Sequence, residues 1–206
     1  MAISAHHDDI ELSCSGTLMK HVKSGDNVYM LVLSDSGYGP KNGNQIRSSR
    51  IAKKEGRLAA SIIGANLIEF NIPTFEIRFT DDLNWMIYNE IVKYNIDTVY
   101  CHWYGDLHID HYYAAKSSIM ASRHVPNVLM FRSNFYMTPT EFRGNFFVDI
   151  SDVIEDKMRV IACHESELAR VLDSWKIFRE NMDRIHGMMN GTEYCEVFEV
   201  VRYLVV

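Results

Sequence analysis

Two short clusters of ionisable residues stand out in this chain. The first follows the opening apolar residues and holds His6, His7, Asp8, Asp9 and Glu11. Imidazole and carboxylate groups are the ligands that hard and borderline divalent cations prefer. Crowding them where a strand passes into a helix is unfavourable, because the groups repel and desolvate one another unless a cation or a set of donors organises them. The cluster therefore indicates a metal site.

The second cluster lies much later in the chain and holds Asp106, His108, Asp110 and His111. Each cluster also has a simpler explanation, since aspartate near a helix N-terminus is favourable without any metal and a polar loop often caps the helix that follows it. Taken alone, the second cluster fits that explanation about as well as it fits a metal site. Metal binding becomes the stronger interpretation if the two clusters meet in space.

The sequence between and around the clusters predicts alternating strands and helices. Apolar, β-branched runs predict strands over residues 2–5, 27–33, 66–70, 97–102 and 128–132. Helical periodicity predicts helices from residue 12 until Gly25 and over residues 46–63, 83–94 and 111–123. Residues 34–45 are rich in Gly, Ser, Asn and Pro and predict a long loop. This alternation is typical of βαβ units in a parallel sheet with helices on both faces.

The last third of the chain has a different pattern. Residues 146–150 are extended, residues 153–182 form an amphipathic stretch, and residues 196–206 are a β-rich tail. We therefore expect an α/β fold, a Rossmann-like three-layer sandwich whose mostly parallel sheet has an added β-rich C-terminal edge, in a single domain over residues 1–206. In the usual 3-2-1-4-5 strand order, the first and fourth strands are neighbours and their carboxyl ends flank the ligand crevice. The two clusters should meet there.

Composition limits the possible partners and compartment. The 206 residues are 47% hydrophobic, which is enough for one well-buried core. A formal net charge of -6 gives no field that would attract nucleic acid or anionic lipid. The four cysteines form no CxxC pair, which favours a reducing cytoplasm, and no apolar run approaches the length of a membrane helix. The oligomeric state stays open, with a homo-oligomer among the options.

Two motifs resemble those of the PIG-L/LmbE-like zinc N-deacetylases, a family with members in low-molecular-weight thiol biosynthesis and in aminoglycoside and glycopeptide antibiotic pathways. The family's AHPDDxE is similar to AHHDDIE at residues 5–11, and its HPDH is similar to HIDH at residues 108–111. Weaker similarities link EGRLAASIIGA at residues 55–65 to the family's EAxxAAxxLG helix, and VDIS with the later HES at residues 164–166 to its DIT and HxSQ segments. Both motifs, in this order at the ends of the expected strands, form a specific combination.

The chain departs from the family pattern at three positions. His7 and Ile109 stand where both motifs usually have Pro, which should change loop stiffness more than chemistry. Ala52 stands where an Arg three residues before Glu55 is common. That Arg is associated with substrate binding in the family, so Arg50 is the candidate replacement.

The resemblance implies a ligand set and a reaction. Its metal ligands are His6, Asp9 and His111, and a catalytic zinc takes about three protein ligands and keeps one position for water. The same ligands would accept Fe, Co or Ni. The implied reaction is hydrolysis of the amide in a small N-acylated substrate, namely removal of an N-acetyl group from an amino sugar or an amino-sugar conjugate.

Further residues receive catalytic and binding roles in the same way. Asp8 is the expected general base, which takes a proton from the zinc-bound water. His108 is the expected donor to the acyl oxygen and acid for the leaving amine, and Asp110 is the carboxylate expected to orient it. Asp106 and His164 join Arg50 as expected substrate contacts.

Three alternatives stay open on the sequence alone. His7 and His102 would be extra metal ligands in one interpretation, although a buried histidine is more often only hydrogen-bonded. The same metal site would act on a non-sugar amide or transfer an acyl group in a second. In a third, the chain would be a metal-binding or carbohydrate-binding module without catalysis, against which the intact Asp8 and His108 argue.

Overall fold

The computed structural model describes residues 1–40 and 43–205. Lys41 and Asn42 of the predicted loop and Val206 of the predicted tail lie outside the described residues. Within the described residues, seven strands form one sheet in the order β3-β2-β1-β4-β5-β7-β6. The first five strands in this order are parallel, whereas β7 runs antiparallel to both β5 and β6. The predicted fold class and the 3-2-1-4-5 core order are therefore confirmed.

The strands lie close to their predicted positions. Their bounds are β1 Ala2–Ser4, β2 Tyr29–Ser34, β3 Asn66–Ile72, β4 Thr98–His102, β5 Asn127–Phe131, β6 Phe146–Asp149 and β7 Cys195–Arg202. Successive residues of β1 point to opposite faces, so that Ala2 packs into one apolar core and Ile3 into another. A parallel sheet is typically buried on both faces, and the two apolar cores provide that burial.

The helices form the two outer layers. Their bounds are α1 Asp9–Ser13, α2 Ser15–Lys23, α3 Ser49–Ile63, α4 Asp81–Lys93, α5 Ile109–Ala121, α6 Ile154–Ala162, α7 Glu165–Val171 and α8 Ser174–Asn190. Helices α2, α3 and α6 contribute to the core on one face of the sheet, and α4 and α5 contribute to the core on the other. Within the described ranges, no helix is both long enough and apolar enough to cross a lipid bilayer.

Helix boundaries differ from prediction where caps or backbone breaks intervene. The first predicted helix is interrupted at Cys14, which separates α1 from α2. Helix α5 begins two residues early, because His108 is its N-cap and accepts a hydrogen bond from the backbone of Asp110. The amphipathic stretch 153–182 is three helices rather than one. Leu172 and Asp173 have positive φ values of 50° and 58°, which end one helix before the next begins.

A buried ion cluster ties the C-terminal part of the chain to the helices behind the first motif. Glu196 of β7 accepts hydrogen bonds from the backbone amides of Gly16 and Thr17 in the first turn of α2. Lys157 is fully buried, with its Nζ 2.8 Å from Glu196 and 2.5 Å from Asp183. Burial raises the pKa of Asp183 to about 6, and the positive charge of Lys157 partly offsets this rise. The lysine therefore holds two buried carboxylates in place.

Replacing this lysine should destabilise the protein strongly. We expect Lys157→Met to lower the free energy of unfolding by about 3–5 kcal/mol, because it leaves buried carboxylates without their cation. The loss should be larger at pH 8 than at pH 5, since Asp183 becomes neutral as the pH falls through its raised pKa of about 6. Urea unfolding at the two pH values measures both effects. Lys20→Met, which removes an exposed pair with Asp152, is the matched control and should cost about 1 kcal/mol or less.

Candidate metal centre and active site

The sheet brings the two predicted clusters together. Strands β1 and β4 are paired neighbours, so their carboxyl ends open at the same edge of the sheet. His6 and Asp9 follow β1 directly, and His111 lies in the first turns of α5, which follows β4. The helix is placed by its His108 cap, and His111 and Asp9 are both buried. Residues from distant parts of the chain thus face one another at this edge.

The side chains of the three predicted ligands converge. Nδ1 of His6 lies 3.1 Å from Nε2 of His111 and 3.3 Å from Oδ2 of Asp9. The other oxygen of Asp9, Oδ1, lies 3.2 Å from Nε2 of His111. Ligand atoms about 2.0–2.1 Å from a tetrahedral zinc are roughly 3.3 Å apart, so the spacing fits a small divalent cation.

The outer nitrogen of each imidazole is held by a carboxylate. Nε2 of His6 lies 3.1 Å from Oδ2 of Asp110, and Nδ1 of His111 lies 3.0 Å from Oδ2 of Asp106. With a proton on each outer nitrogen, neutral rings would present the lone pairs of their inner nitrogens to each other and to Asp9. Such lone pairs repel at 3.1 Å unless a proton or a metal ion lies between them. Carboxylates that hold the outer nitrogens of ligating histidines are common in metal sites, and the residues present fit a divalent metal.

The electrostatics of the site favour positive charge. Burial lowers the pKa of His6, but contacts with Asp110 and Asp9 outweigh burial and raise it to about 10. Burial raises the pKa of Asp9, but His111 and His102 hold it well below its usual value. Burial also raises the pKa of Asp106, but contact with His111 outweighs burial and lowers it to about 2. The ionised carboxylates stabilise a positive charge here, either a proton or a metal ion.

Two further histidines lie near the three ligands. Potential ligand atoms lie within 4.8 Å of one another both in the set His6, His108 and His111 and in the set Asp9, His102 and His111. Nε2 of His102 accepts a hydrogen bond from the backbone amide of Ala5 at 3.0 Å, which occupies its lone pair. His102 is therefore better placed as a hydrogen-bonded neighbour than as a ligand through this atom.

His108 and Asp110 have different partners from those the sequence indicates. Asp110 was expected to orient His108, but its carboxylate contacts His6 and accepts a hydrogen bond from the backbone amide of Phe75 at 2.6 Å. The reason is the cap: Nδ1 of His108 accepts from the backbone amide of Asp110, so Nε2 is the nitrogen left for the pocket. Burial, followed by the nearby His111 and His6, lowers the pKa of His108 to about 4.

Asp8 lies beside the ligands in a strained conformation. Its φ of 132° is a region that residues with a side chain rarely adopt, and such strain persists only where surrounding contacts hold the residue. The backbone amide donates to Oε2 of Glu11 at 3.2 Å, and Oδ2 accepts from Arg47 at 2.9 Å. Burial raises the pKa of Asp8 to about 7, while the positive charge of Arg47 lowers it in part.

His7 fills a space that Gly56 leaves open. The ring is fully buried, and its Nε2 lies 3.2 Å from Oε1 of Glu69. A Cβ at position 56 would lie 2.2 Å from Nδ1 of His7, well inside van der Waals contact. The weak similarity to the EAxxAAxxLG helix places an Ala at this position in the family pattern, and the His7 position usually holds Pro. The larger ring and the smaller helix residue therefore compensate for each other.

A pocket of about 190 Å³ opens beside the ligands. His6, Asp8, Asp9, His108 and His111 form its polar side. The lining also includes an aromatic wall made of Tyr38, Phe75, Phe135, Tyr136, Trp175 and Phe178. The pocket therefore combines polar groups with aromatic faces of the kind that pack against the apolar faces of a sugar ring.

The three expected substrate contacts lie outside the pocket lining among the described residues. Arg50 is exposed on α3. Asp106 is turned toward His111 and the backbone amide of His108. His164 is buried, with its Nε2 3.2 Å from Glu11. Their contact with a substrate stays a prediction, and the geometry gives each of the latter two a supporting position.

Arg47 is a buried pocket residue that sequence reasoning missed. It is 2% exposed, lines the pocket and contacts both Asp8 and Glu55, whereas Arg50 points elsewhere. It comes directly before Ser48, the N-cap of α3, at the end of a loop whose path spacing alone does not reveal. The signal in the sequence that could have located Arg47 is the Ser48 N-cap, because it sets where the loop ends and the helix begins.

The fit between His7 and Gly56 can be tested by a double-mutant cycle. We expect Gly56→Ala to destabilise the protein by about 1–3 kcal/mol, because the added methyl group overlaps a buried ring. His7→Ala in the same chain should recover most of that loss by opening the space, so the two effects should not add. Thermal unfolding of the four proteins measures the coupling. Additive effects, or a fully stable Gly56→Ala, would contradict the packing described.

Several known proteins are similar to this chain in sequence or in fold. Residues 1–122 match the model of the family described as PIG-L, GlcNAc-PI de-N-acetylase. The chain is 28% identical to diacetylchitobiose deacetylase of Thermococcus kodakarensis, over 95% of the chain and 80% of that protein. The solved N,N'-diacetylchitobiose deacetylase of Pyrococcus horikoshii superimposes with a TM-score of 0.82 at 19% identity, over 97% of this chain and 82% of that one. GalB of Pseudomonas putida, a 4-carboxy-2-hydroxymuconate hydratase, has a TM-score of 0.84 at 18% identity, over 100% of this chain and 96% of that one.

Proposed function

We propose, on the premise that this chain belongs to the PIG-L family, that it is a metal-dependent hydrolase that removes an N-acetyl group from an amino sugar or an amino-sugar conjugate. The observation that carries the proposal is the convergence of His6, Asp9 and His111 beside Asp8 at the end of a pocket. The curated relative named diacetylchitobiose deacetylase supports the substrate class.

His6, Asp9 and His111 would hold the metal, which we propose to be zinc. Two nitrogens and one oxygen suit zinc, although other divalent transition metals use the same donors. When bound, the metal supplies a Lewis acid for the amide carbonyl. Asp110 and Asp106 fix the two imidazole rings from behind, which keeps both inner nitrogens directed at the same point.

Asp8 is the proposed general base and proton carrier. Its carboxylate borders the pocket next to the ligands, so it can take a proton from the attacking water and return it to the leaving amine. Burial raises the pKa of Asp8 to about 7, which suits a group that must both accept and release a proton near neutral pH. A cation bound nearby would lower this value.

His108 is the proposed donor to the acyl oxygen. Because its Nδ1 accepts from the backbone, the neutral ring carries its proton on Nε2 and can donate it in a hydrogen bond to the negative charge that develops on that oxygen. Burial and the neighbouring imidazoles lower its pKa to about 4, which favours this neutral donor over the imidazolium acid expected from the sequence. Stacking of Phe75 on the ring fixes its plane.

The aromatic wall supports a sugar as the group that carries the amide. The same wall would also accommodate a non-sugar amide, and acyl transfer would need only a different acceptor in place of water. Likeness to a hydratase such as GalB shows that one architecture hosts more than one reaction.

The four cysteines are free thiols, which supports the proposed location in a reducing cytoplasm.

The role of Asp8 has a direct test. Asp8→Asn keeps the shape of the side chain and removes the base, so turnover of N-acetyl amino sugars should fall by about 10²–10⁴-fold while metal content stays unchanged. Release of acetate from a panel of N-acetyl sugars and N-acyl amines measures turnover and also distinguishes the two substrate classes. Asp82→Asn, at an exposed position in the first turn of α4, is the matched control. A fully active Asp8→Asn protein would remove Asp8 as the base.

The ligand set is tested by binding and stability, without reference to turnover. Zinc at about 100 times its Kd should stabilise the fold by about 2.7 kcal/mol, because it binds the folded chain and not the unfolded one. His111→Ala should lose the bound metal and this stabilisation, whereas His124→Ala, at an exposed position, should keep both. Metal content per chain and thermal unfolding with and without zinc provide the measurement. Equal metal content in both variants would exclude His111 as a ligand.

A further inference from the structure

Arg47 lies buried beside the pocket with all of its hydrogen-bond donors engaged. A guanidinium carries five N–H groups, and here each has an acceptor at 2.8–3.1 Å. The acceptors are the backbone oxygen of His7, Oδ2 of Asp8, Oε2 of Glu55, Nδ1 of His164 and Oγ of Ser166. An arginine that binds a substrate needs a free N–H group directed into the pocket, and Arg47 has none to spare.

The contacts of Arg47 close a ring around Asp8. Arg47 holds the carboxylate of Asp8, and Glu11 holds its backbone amide. His164 links Arg47 to Glu11, since its Nδ1 accepts a hydrogen bond from Arg47 and its Nε2 lies 3.2 Å from Glu11. The strained φ of Asp8 is thus restrained at both ends of the residue. The ring also includes the segment before α7, which lies beyond the 1–122 region that matches the family model.

We propose that Arg47 is a positioning residue that fixes the carboxylate of Asp8 and couples it to the segment around His164. The inference rests on the proposed function, because it takes Asp8 as the general base. Displacing a catalytic group by about 1 Å costs roughly 10²-fold in rate. The planar guanidinium suits this task, because it holds Asp8 through Nη1 while Glu55 holds Nη2, whereas a lysine supplies the same charge through a single nitrogen.

Kinetics of Arg47→Lys test the proposal. We expect kcat to fall by about 10–100-fold while KM changes less than about twofold and metal content is unchanged. The matched control is Arg159→Lys, at an exposed arginine whose guanidinium contacts the carboxylate of Asp156, and it should leave both constants unchanged. In Arg47→Ala, added guanidinium ion should restore part of kcat, which a general loss of structure would not allow. Thermal unfolding of each variant checks that the fold is intact.

A second pair of variants keeps the test decisive if Arg47→Lys folds poorly. Glu55→Gln retains the shape of the partner but weakens its hold on Arg47, so kcat should fall by a smaller factor with KM again unchanged. On the Asp8→Asn background, Arg47→Lys should cause no further loss, because both residues act through one carboxylate.

Three outcomes overturn the inference. A rise in KM with kcat intact would make Arg47 a substrate contact, and unchanged kinetics of Arg47→Lys would remove its role. An additional loss on the Asp8→Asn background would show that Arg47 acts independently of Asp8. These failures differ from failure of the proposed function, in which Asp8→Asn itself would stay active.

Discussion

Two imidazole nitrogens that face each other across 3.1 Å, with a carboxylate beside them, form the constraint on which this site depends. Neutral lone pairs in that arrangement repel, and carboxylates behind both rings prevent the nitrogens from turning away. The arrangement is stable only with positive charge at its centre. Pairing of β1 with β4 supplies the geometry, because it sets the ends of two strands from distant parts of the chain side by side.

Support for this centre extends outward in layers. Asp106 and Asp110 hold the rings, and the helix cap made by His108 sets where α5 begins. On the other side, Asp8 occupies a strained backbone conformation that its neighbours restrain. Each buried carboxylate here contacts an imidazole or a guanidinium, as buried polar groups must where water is excluded. The site is therefore a network of paired polar groups rather than three isolated ligands.

Much of the fold could be predicted from the sequence, and less of the site. Alternating apolar runs and helical periodicity determine the order of elements. Because neighbouring parallel strands end at the same edge of the sheet, that order also predicts that His6 lies near His111. Contacts that depend on a loop path or a cap could not be predicted. Arg47 lines the pocket and Arg50 does not, because the N-cap at Ser48 sets the loop end, and Asp110 contacts His6 because the backbone occupies Nδ1 of His108. Spacing in sequence does not encode such choices.

The match between His7 and Gly56 limits how this chain can change over evolutionary time. With the ring in place, a bulkier residue at position 56 collides with it, and without the ring a glycine inside a helix lacks the packing that offsets its low helix propensity. A bulkier residue at position 56 is therefore tolerated only once the ring at position 7 is lost.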